Sequence, residues 1–214
     1  MKNLTEIVFI LDRSGSMSGL EGDTIGGFNS VIEKQKKVEG DALVSTILFD
    51  HESLVLHDRI PLEKIEPLTE DDYEVRGSTA LLDAVGDAVH HIKTIHKYAR
   101  EEDVPEKTLF IITTDGMENA SRKFDYKTIK KLVKQQQKAG WEFIFMGANI
   151  DAIQVAGSIG IKSSRAVNFH NDEVGIKKSF AALGAAIHSV RYSESLDVPQ
   201  WRKDVDDDFK SRDK

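Results

Sequence analysis

The chain has 214 residues, of which 40% are hydrophobic and 30% charged, and its formal net charge at pH 7 is −7. This length fits one domain, and the composition is typical of a soluble globular protein rather than a disordered one. The negative charge argues against nucleic acid as the main partner. The chain contains no cysteine, which excludes disulfide bonds and thiolate metal sites.

The N-terminal segment leads directly into the first apolar run, with neither an apolar helix nor a cleavage site before it. No apolar run approaches the ~20 residues that a helix needs to cross a bilayer. These two observations predict a cytoplasmic protein that has no secretory signal and no membrane partner.

Strand-like and helix-like segments alternate along the chain. Short apolar runs predict strands at residues 7–11, 42–49, 53–57, 108–114, 142–146 and 166–169. Apolar residues at intervals of three and four predict helices at residues 24–38, 80–100, 126–139, 151–158 and 173–190. Helices that separate successive strands indicate a mostly parallel sheet that is covered on both faces.

Two strands refine this prediction. Residues 7–11 form an unbroken apolar run, as expected of a strand that is buried on both faces. Residues 53–57 follow the turn at Asp50 so closely that their strand must be antiparallel to the one before it, which places it at an edge. We therefore predict an α/β fold with a doubly wound, Rossmann-like, mostly parallel central sheet, one antiparallel edge strand and helices on both faces.

The periodic pattern ends before the C-terminus. We predict one domain over residues 1–192 and a charged tail over residues 193–214. Three consecutive aspartates (206–208) and the scarcity of apolar residues favour a flexible, solvated tail. Trp201 and Phe209 offer the alternative that the tail docks on the domain.

Two aspartates stand where predicted strands end. Asp12 follows the first strand directly, and Asp115 follows the fourth. In doubly wound sheets, ligands bind beyond the carboxyl ends of the strands, at the point where the strand order reverses. If these two strands are neighbours at that point, their carboxylates converge there. Ser14 and Ser16 follow Asp12 at every second position and add two hydroxyls to the same edge.

Thr79 adds a third hydroxyl from the loop before the long predicted helix. Taken alone, it is more typical of a helix cap. Together with Ser14 and Ser16 it offers three neutral oxygens, and Asp12 and Asp115 carry the two charges that balance a dication. Mg²⁺ prefers six oxygen ligands at about 2.1 Å, and Mn²⁺ or Ca²⁺ suits the same donors.

This set of residues resembles the metal-ion-dependent adhesion site (MIDAS) of von Willebrand factor type A (VWA) domains. The motif is Asp-x-Ser-x-Ser, a distant Thr and a distant Asp, and its five positions are filled here in order by Asp12, Ser14, Ser16, Thr79 and Asp115. The resemblance implies that the three hydroxyls bind the ion directly and that the two aspartates act mainly through waters. The chain looks most like compact, stand-alone, intracellular bacterial members of the family.

The resemblance also implies a function. VWA domains with this motif are protein-binding modules in which an Asp or Glu of the partner completes the coordination of the ion. We therefore expect a non-catalytic, metal-dependent module whose partner is a protein with an exposed acidic residue. The loops around the predicted site would provide specificity: residues 17–23, 69–78, 117–123 and 147–151.

Enzymatic alternatives fit the residues less well. A phosphate-binding loop needs a lysine that the segment after Gly15 lacks. A haloacid-dehalogenase-type phosphatase needs a second aspartate where Ser14 stands, and a serine hydrolase needs a Gly-x-Ser-x-Gly elbow that is not evident. Mg²⁺-dependent phosphoryl transfer remains the alternative function, because a hard cation beside hydroxyls and carboxylates could position a phosphate.

Other polar residues are predicted to have local roles or to lie near the metal site. Asp83 is expected to be a favourable charge in the first turn of its helix. Asn149 and Asp151 follow a strand end and could line the same surface as the metal site. One of the tail aspartates (206–208) could reach the ion.

Overall fold

The computed structural model describes residues 4–212, so the first three and last two residues of the predicted domain and tail lie outside the described part. The strands are β1 (Thr5–Asp12), β2 (Ala42–Phe49), β3 (Ser53–Pro61), β4 (Lys107–Thr114), β5 (Glu142–Ala148) and β6 (Ala166–Phe169). The helices are α1 (Glu21–Gln35), α2 (Leu81–Tyr98), α3 (Tyr126–Lys138), α4 (Ala152–Ser158), α5 (Glu173–Arg191) and α6 (Lys203–Arg212). None of the helices in the described part is both long and apolar enough to cross a membrane.

The strands form one sheet in the order β3-β2-β1-β4-β5-β6. β3 is antiparallel to β2, and the other neighbouring pairs are parallel. The strand order reverses between β1 and β4, because the chain first extends the sheet on one side of β1 and then on the other. The predicted α/β fold, with one antiparallel edge strand, is confirmed.

β1 lies at the centre of the sheet and is buried along its whole length. Successive side chains of a strand point to opposite faces, and β1 therefore contributes to two cores. Phe9 and Leu11 pack in a core with residues of α1 and α5. Val8 and Ile10 pack in a second core with residues of α2, α3 and α4. The apolar run that predicted this strand is explained by burial on both faces.

The boundaries differ from the prediction mainly at two elements. α1 begins at Glu21 instead of residue 24, and its first turn carries Glu21 and Asp23, whose negative charges are favourable at a helix N-terminus. The apolar stripe starts later and could not reveal this turn. β3 continues to Pro61, past a register shift and a left-handed residue, Arg59 (φ 52°), which interrupt its alternating pattern.

The C-terminal segment differs from the prediction of a flexible tail, which is corrected here for residues 199–212. Pro199–Arg202 forms a 3₁₀ turn that leads into α6. Trp201 and Val205 are 7% and 1% exposed and belong to the core that α1 and α5 share. Two well-placed apolar residues are enough to anchor a short segment that composition alone marks as solvated. The division of the chain at residue 192 stays a prediction.

Several charges of the C-terminal segment form ion pairs within the protein. Arg202 binds Asp206 at 2.6 Å, and Lys178 of α5 binds Asp208 at 2.7 Å. Arg212 contacts both Asp208 and Asp172, each at 2.6 Å. Asp206 is therefore engaged by Arg202 of the 3₁₀ turn, and Asp208 by Lys178 of α5 and Arg212 of α6. None of the ion pairs described for residues 4–212 joins these aspartates to the five predicted metal ligands.

Candidate metal centre

The carboxyl ends of β1 and β4 bring the two predicted aspartates to the same edge of the sheet. Asp12 is the last residue of β1, and Asp115 follows the last residue of β4. The two strands are adjacent and parallel, with Leu11 opposite Thr113. Both aspartates are buried, at 2% and 3% exposure. The convergence expected at the point of strand reversal is therefore present.

Asp12 is held by hydrogen bonds from neutral donors. Its Oδ1 accepts a hydrogen bond from the backbone N–H of Ser14 at 2.7 Å, and its Oδ2 accepts one from the hydroxyl of Thr114. Burial raises the pKa of Asp12 from its ordinary value of 3.8 to about 6, although these hydrogen bonds act in the opposite direction. The nearby charge of Asp115 raises the pKa further. The folded chain therefore resists the ionised form of this carboxylate.

The two serines connect Asp12 to Asp115. The hydroxyls of Ser14 and Ser16 lie 3.1 Å apart, and the Ser16 hydroxyl donates a hydrogen bond to Asp115 Oδ1 at 2.5 Å. Burial raises the pKa of Asp115 as well, and the hydrogen bonds from Ser16 and Asn171 oppose this shift. Ser16 is exposed, so the cluster opens to the surface at this residue.

Thr79 completes the set, and its hydroxyl does not cap the helix. The N-cap of α2 is Ala80, which makes no side-chain capping bond. A Cβ placed on Gly116 would lie 3.0 Å from Thr79 Oγ1, 3.4 Å from Ser16 Oγ and 3.9 Å from Ser14 Oγ. The three hydroxyls therefore lie close together beside Gly116, where a larger residue would crowd them.

The donor chemistry of this cluster fits a hard divalent cation. Three neutral hydroxyls and two carboxylates present only oxygen atoms, which is the ligand set of Mg²⁺ and related ions. Within residues 4–212, no group of three or more His, Cys, Asp or Glu side chains is placed to hold a metal ion. If this cluster holds an ion, the hydroxyls must therefore contribute beside its two carboxylates.

A loop after β4 holds Thr79 in place, and the sequence contained no signal for this role. Asn119 Oδ1 accepts a hydrogen bond from the backbone N–H of Thr79 at 2.9 Å, and the Asn119 N–H donates to the Thr79 carbonyl at 3.0 Å. Glu118 accepts from the backbone N–H of Leu82 at 2.9 Å. Asp83, predicted only as a favourable helix charge, accepts from the backbone of residues 122–124. The loop and the start of α2 thus support each other.

A third buried aspartate, Asp50, also anchors the Thr79 loop. Asp50, at the end of β2, is fully buried and contacts Arg13 and Arg76 at 3.1 and 3.0 Å. Its backbone carbonyl accepts a hydrogen bond from the N–H of Ala80 at 2.8 Å. Gly77, at φ 70°, allows the loop to approach His51 closely. These contacts fix the position of the loop relative to β1.

Other predicted residues have local roles. Asp151 caps α4 by accepting a hydrogen bond from the N–H of Gln154 at 3.0 Å. Asn149 adopts a left-handed conformation (φ 53°) in the loop after β5. None of the hydrogen bonds described for residues 4–212 joins either residue to the five predicted metal ligands. Thr114 and Asn171 do bind the two aspartates, and sequence reasoning missed both.

Comparisons with solved structures identify the fold. The proximal thread matrix protein 1 from the mussel byssus, with a zinc-occupied MIDAS motif, has a TM-score of 0.59 and 13% identity over 86% of this chain and 46% of its own. The vWF domain of the pilus tip protein Mfa5 from Porphyromonas gingivalis has a TM-score of 0.60 and 11% identity, covering 86% of this chain and 94% of its own. The ArnB paralog VWA2 from Sulfolobus acidocaldarius has a TM-score of 0.53 and 16% identity, covering 91% and 46%.

No protein-family model matches the chain, and no curated protein matches it in sequence. The chain spans less than half the length of the mussel and Sulfolobus proteins. At identities this low, the structural similarity establishes a common fold. It does not transfer the activities of those proteins to this chain. The chain has the fold of von Willebrand factor type A domains.

Proposed function

We propose that the protein is a non-catalytic binding module in which a divalent cation, held by Asp12, Ser14, Ser16, Thr79 and Asp115, binds an acidic residue of a partner protein. The observation that carries this proposal is the convergence of three hydroxyls and two buried carboxylates at the point of strand reversal. The zinc-occupied MIDAS motif of the mussel protein supports a divalent cation at the same place in the fold.

Uncharged direct ligands would leave the cation able to attract an anionic ligand from outside. When bound, the cation supplies a Lewis-acidic centre that attracts a carboxylate. If the hydroxyls of Ser14, Ser16 and Thr79 are the direct ligands, they neutralise none of its charge. Mg²⁺ is proposed as the ion on the basis of the oxygen donors, and Mn²⁺ and Ca²⁺ are candidates by the same chemistry.

The surroundings of the cluster provide further contact area. Met117, directly after Gly116, is 66% exposed and offers an apolar contact beside the site. Gly77 and Ser78, directly before Thr79, are also exposed. One metal–carboxylate contact is too small for a specific complex, which buries on the order of 1,200 Å² in total. The surrounding loops would supply the remaining area.

Thermal unfolding with and without the ion tests the metal site. Mg²⁺ or Mn²⁺ should stabilise the wild-type protein, by about 2.7 kcal/mol at one hundred times its Kd, because it binds only the folded state. Thr79→Ala should lose this stabilisation, whereas Ser78→Ala, a control at the exposed neighbouring position, should keep it. An equal shift in Thr79→Ala, or no shift in the wild type, would contradict the proposal.

Capture of binding proteins in Mg²⁺ or in EDTA tests the partner. A partner that depends on the ion should be retained only with Mg²⁺ and lost with Asp12→Ala. Exchanging the acidic residue of that partner for its amide should then abolish binding. Retention in EDTA would contradict metal-dependent binding, and phosphomonoester turnover that is lost in Asp12→Asn would establish the phosphoryl-transfer alternative. The cytoplasmic location and the resemblance to intracellular bacterial members stay predictions.

A further inference from the structure

Asn171, in the turn between β6 and α5, contacts the candidate metal site. Its Nδ2 donates a hydrogen bond to Asp115 Oδ2 at 3.1 Å, across 56 residues of sequence. Because the Ser16 hydroxyl binds the other oxygen, both oxygens of the Asp115 carboxylate have a donor. The orientation of Asp115 is thus set by two side chains, of which only Ser16 belongs to the motif.

The turn that carries Asn171 has a tightly determined backbone. Asp172 caps α5 by accepting a hydrogen bond from the N–H of Gly175 at 2.8 Å, and its own N–H donates to the His170 carbonyl at 2.9 Å. A Cβ on Gly175 would lie 2.0 Å from the His170 carbonyl oxygen. Glycine is therefore required at this position for α5 to begin so close to the turn.

Helix α6 braces the same turn on both sides of Asn171. The Arg212 guanidinium binds Asp172 at 2.6 Å. The Phe209 ring stacks on the His170 ring with centroids 4.8 Å apart. The C-terminal helix thus holds the residues immediately before and after Asn171.

The other polar atom of the Asn171 amide forms no hydrogen bond among the described residues. This atom, Oδ1, is buried. A buried acceptor without a donor is unfavourable. The hydrogen bond from Nδ2 to Asp115 is therefore the interaction by which this side chain can favour its position.

We propose that Asn171 is a positioning residue of the metal site that orients the Asp115 carboxylate, and that α6 holds Asn171 in place. This inference rests on the proposed metal site. Hydrogen-bond partners of metal ligands commonly change metal affinity by 10- to 100-fold when they are removed. Removing Asn171 should therefore change the affinity of the protein for the ion, which can be measured separately from the stability of the fold.

Mn²⁺ affinity, measured from the electron paramagnetic resonance signal of free Mn²⁺, tests the role of Asn171. Asn171→Ala should bind Mn²⁺ about tenfold more weakly than the wild type. Asn171→Gln, which keeps an amide N–H donor, should retain more of the wild-type Mn²⁺ affinity than Asn171→Ala does. A merely structural role would lower the unfolding temperature of Asn171→Ala and leave its Mn²⁺ affinity unchanged.

A control variant in β6 separates metal affinity from stability. Asn168 Oδ1 accepts a hydrogen bond from the N–H of Ala152 at 2.8 Å, and no hydrogen bond described for residues 4–212 joins Asn168 to the five predicted metal ligands. Asn168→Ala should lower the unfolding temperature and leave Mn²⁺ affinity unchanged. Wild-type affinity in Asn171→Ala would overturn the inference and leave the metal site intact. A wild-type protein that binds no Mn²⁺ would overturn the metal site itself.

A double-mutant cycle tests the role of α6. Arg212→Ala should weaken Mn²⁺ binding by about threefold, a smaller factor than Asn171→Ala. Because α6 acts through Asn171, adding Arg212→Ala to Asn171→Ala should weaken binding no further. Arg100→Ala, which removes an exposed arginine paired with Asp103, is the control and should have no effect. Additive losses, or wild-type affinity in Arg212→Ala, would overturn this part of the inference.

Discussion

The two ends of β1 each carry a buried carboxylate, and the protein compensates only one of them with cations of its own. Glu6, at the amino end, is fully buried, pairs with Arg59 at 2.6 Å and contacts His96. Asp12, at the carboxyl end, receives only neutral N–H and O–H donors. No Lys, Arg or His side chain within residues 4–212 forms an ion pair with Asp12 or Asp115.

This difference supports the proposal that Asp12 serves an external cation, whereas Glu6 has a structural role. Arg13 follows Asp12 directly in sequence, yet its guanidinium contacts Asp50 at 3.1 Å instead. A buried carboxylate without a compensating charge is unfavourable. Under the proposed function, a cation from outside the chain would supply the missing charge at the point of strand reversal.

The largest expected effect comes from disrupting the compensated end. Glu6→Gln leaves Arg59 without its buried counter-charge and should lower the free energy of unfolding by about 3 kcal/mol. Denaturant unfolding should give the same loss in EDTA and in Mg²⁺, because the site at the other end is unaffected. A loss that depends on Mg²⁺ would contradict the independence of the two ends.

The pH dependence of the metal-free protein tests the uncompensated end. The pKa of Asp12 is raised from 3.8 to about 6 in the folded state, so the folded state binds the proton more tightly than the unfolded state. The contribution of Asp12 to stability should therefore fall as the pH rises through this window, by about 2–3 kcal/mol. The measurement is the difference in unfolding free energy between wild type and Asp12→Asn, and a difference independent of pH would refute it.

Removing a buried polar partner usually lowers the stability of a protein, but Asp12→Asn should raise it in the absence of metal. In EDTA at pH 7 the variant should be about 1 kcal/mol more stable than the wild type, because the gain from removing an unfavourable charge exceeds the weakened hydrogen bonds. In Mg²⁺ the order should reverse, since only the wild type gains from the ion. Lower stability of the variant in EDTA would indicate that the chain compensates Asp12 after all.

The smallest effect on stability is expected at Gly116. A methyl group there would lie 3.0 Å from Thr79 Oγ1, so Gly116→Ala should change stability by less than about 1 kcal/mol and remove most of the Mg²⁺-dependent stabilisation. Gly157→Ala in α4, where a Cβ meets nothing within 4 Å, is the matched control. Retention of the full Mg²⁺ response in Gly116→Ala would place the ion elsewhere.

Strand-end chemistry and the resemblance to the MIDAS motif predicted the five residues of the candidate site, and their binding of an ion stays a prediction. Asp12 and Asp115 each follow an apolar run, and parallel strands bring their carboxyl ends to one edge. The supporting residues could not be predicted in this way. Thr114 binds a residue 102 positions away, Asn171 one 56 positions away and Asn119 one 40 positions away, and no local pattern encodes such contacts.

The sequence by itself determined the order of strands and helices, the antiparallel edge and the metal-site motif, because periodicity and strand-end chemistry are local properties of the chain. Only the tertiary structure decided which strands are neighbours, which carboxylates receive cations and how the last helix packs. Trp201 shows the physical reason. Its burial depends on a surface formed by α1 and α5, and that surface exists only after the chain has folded.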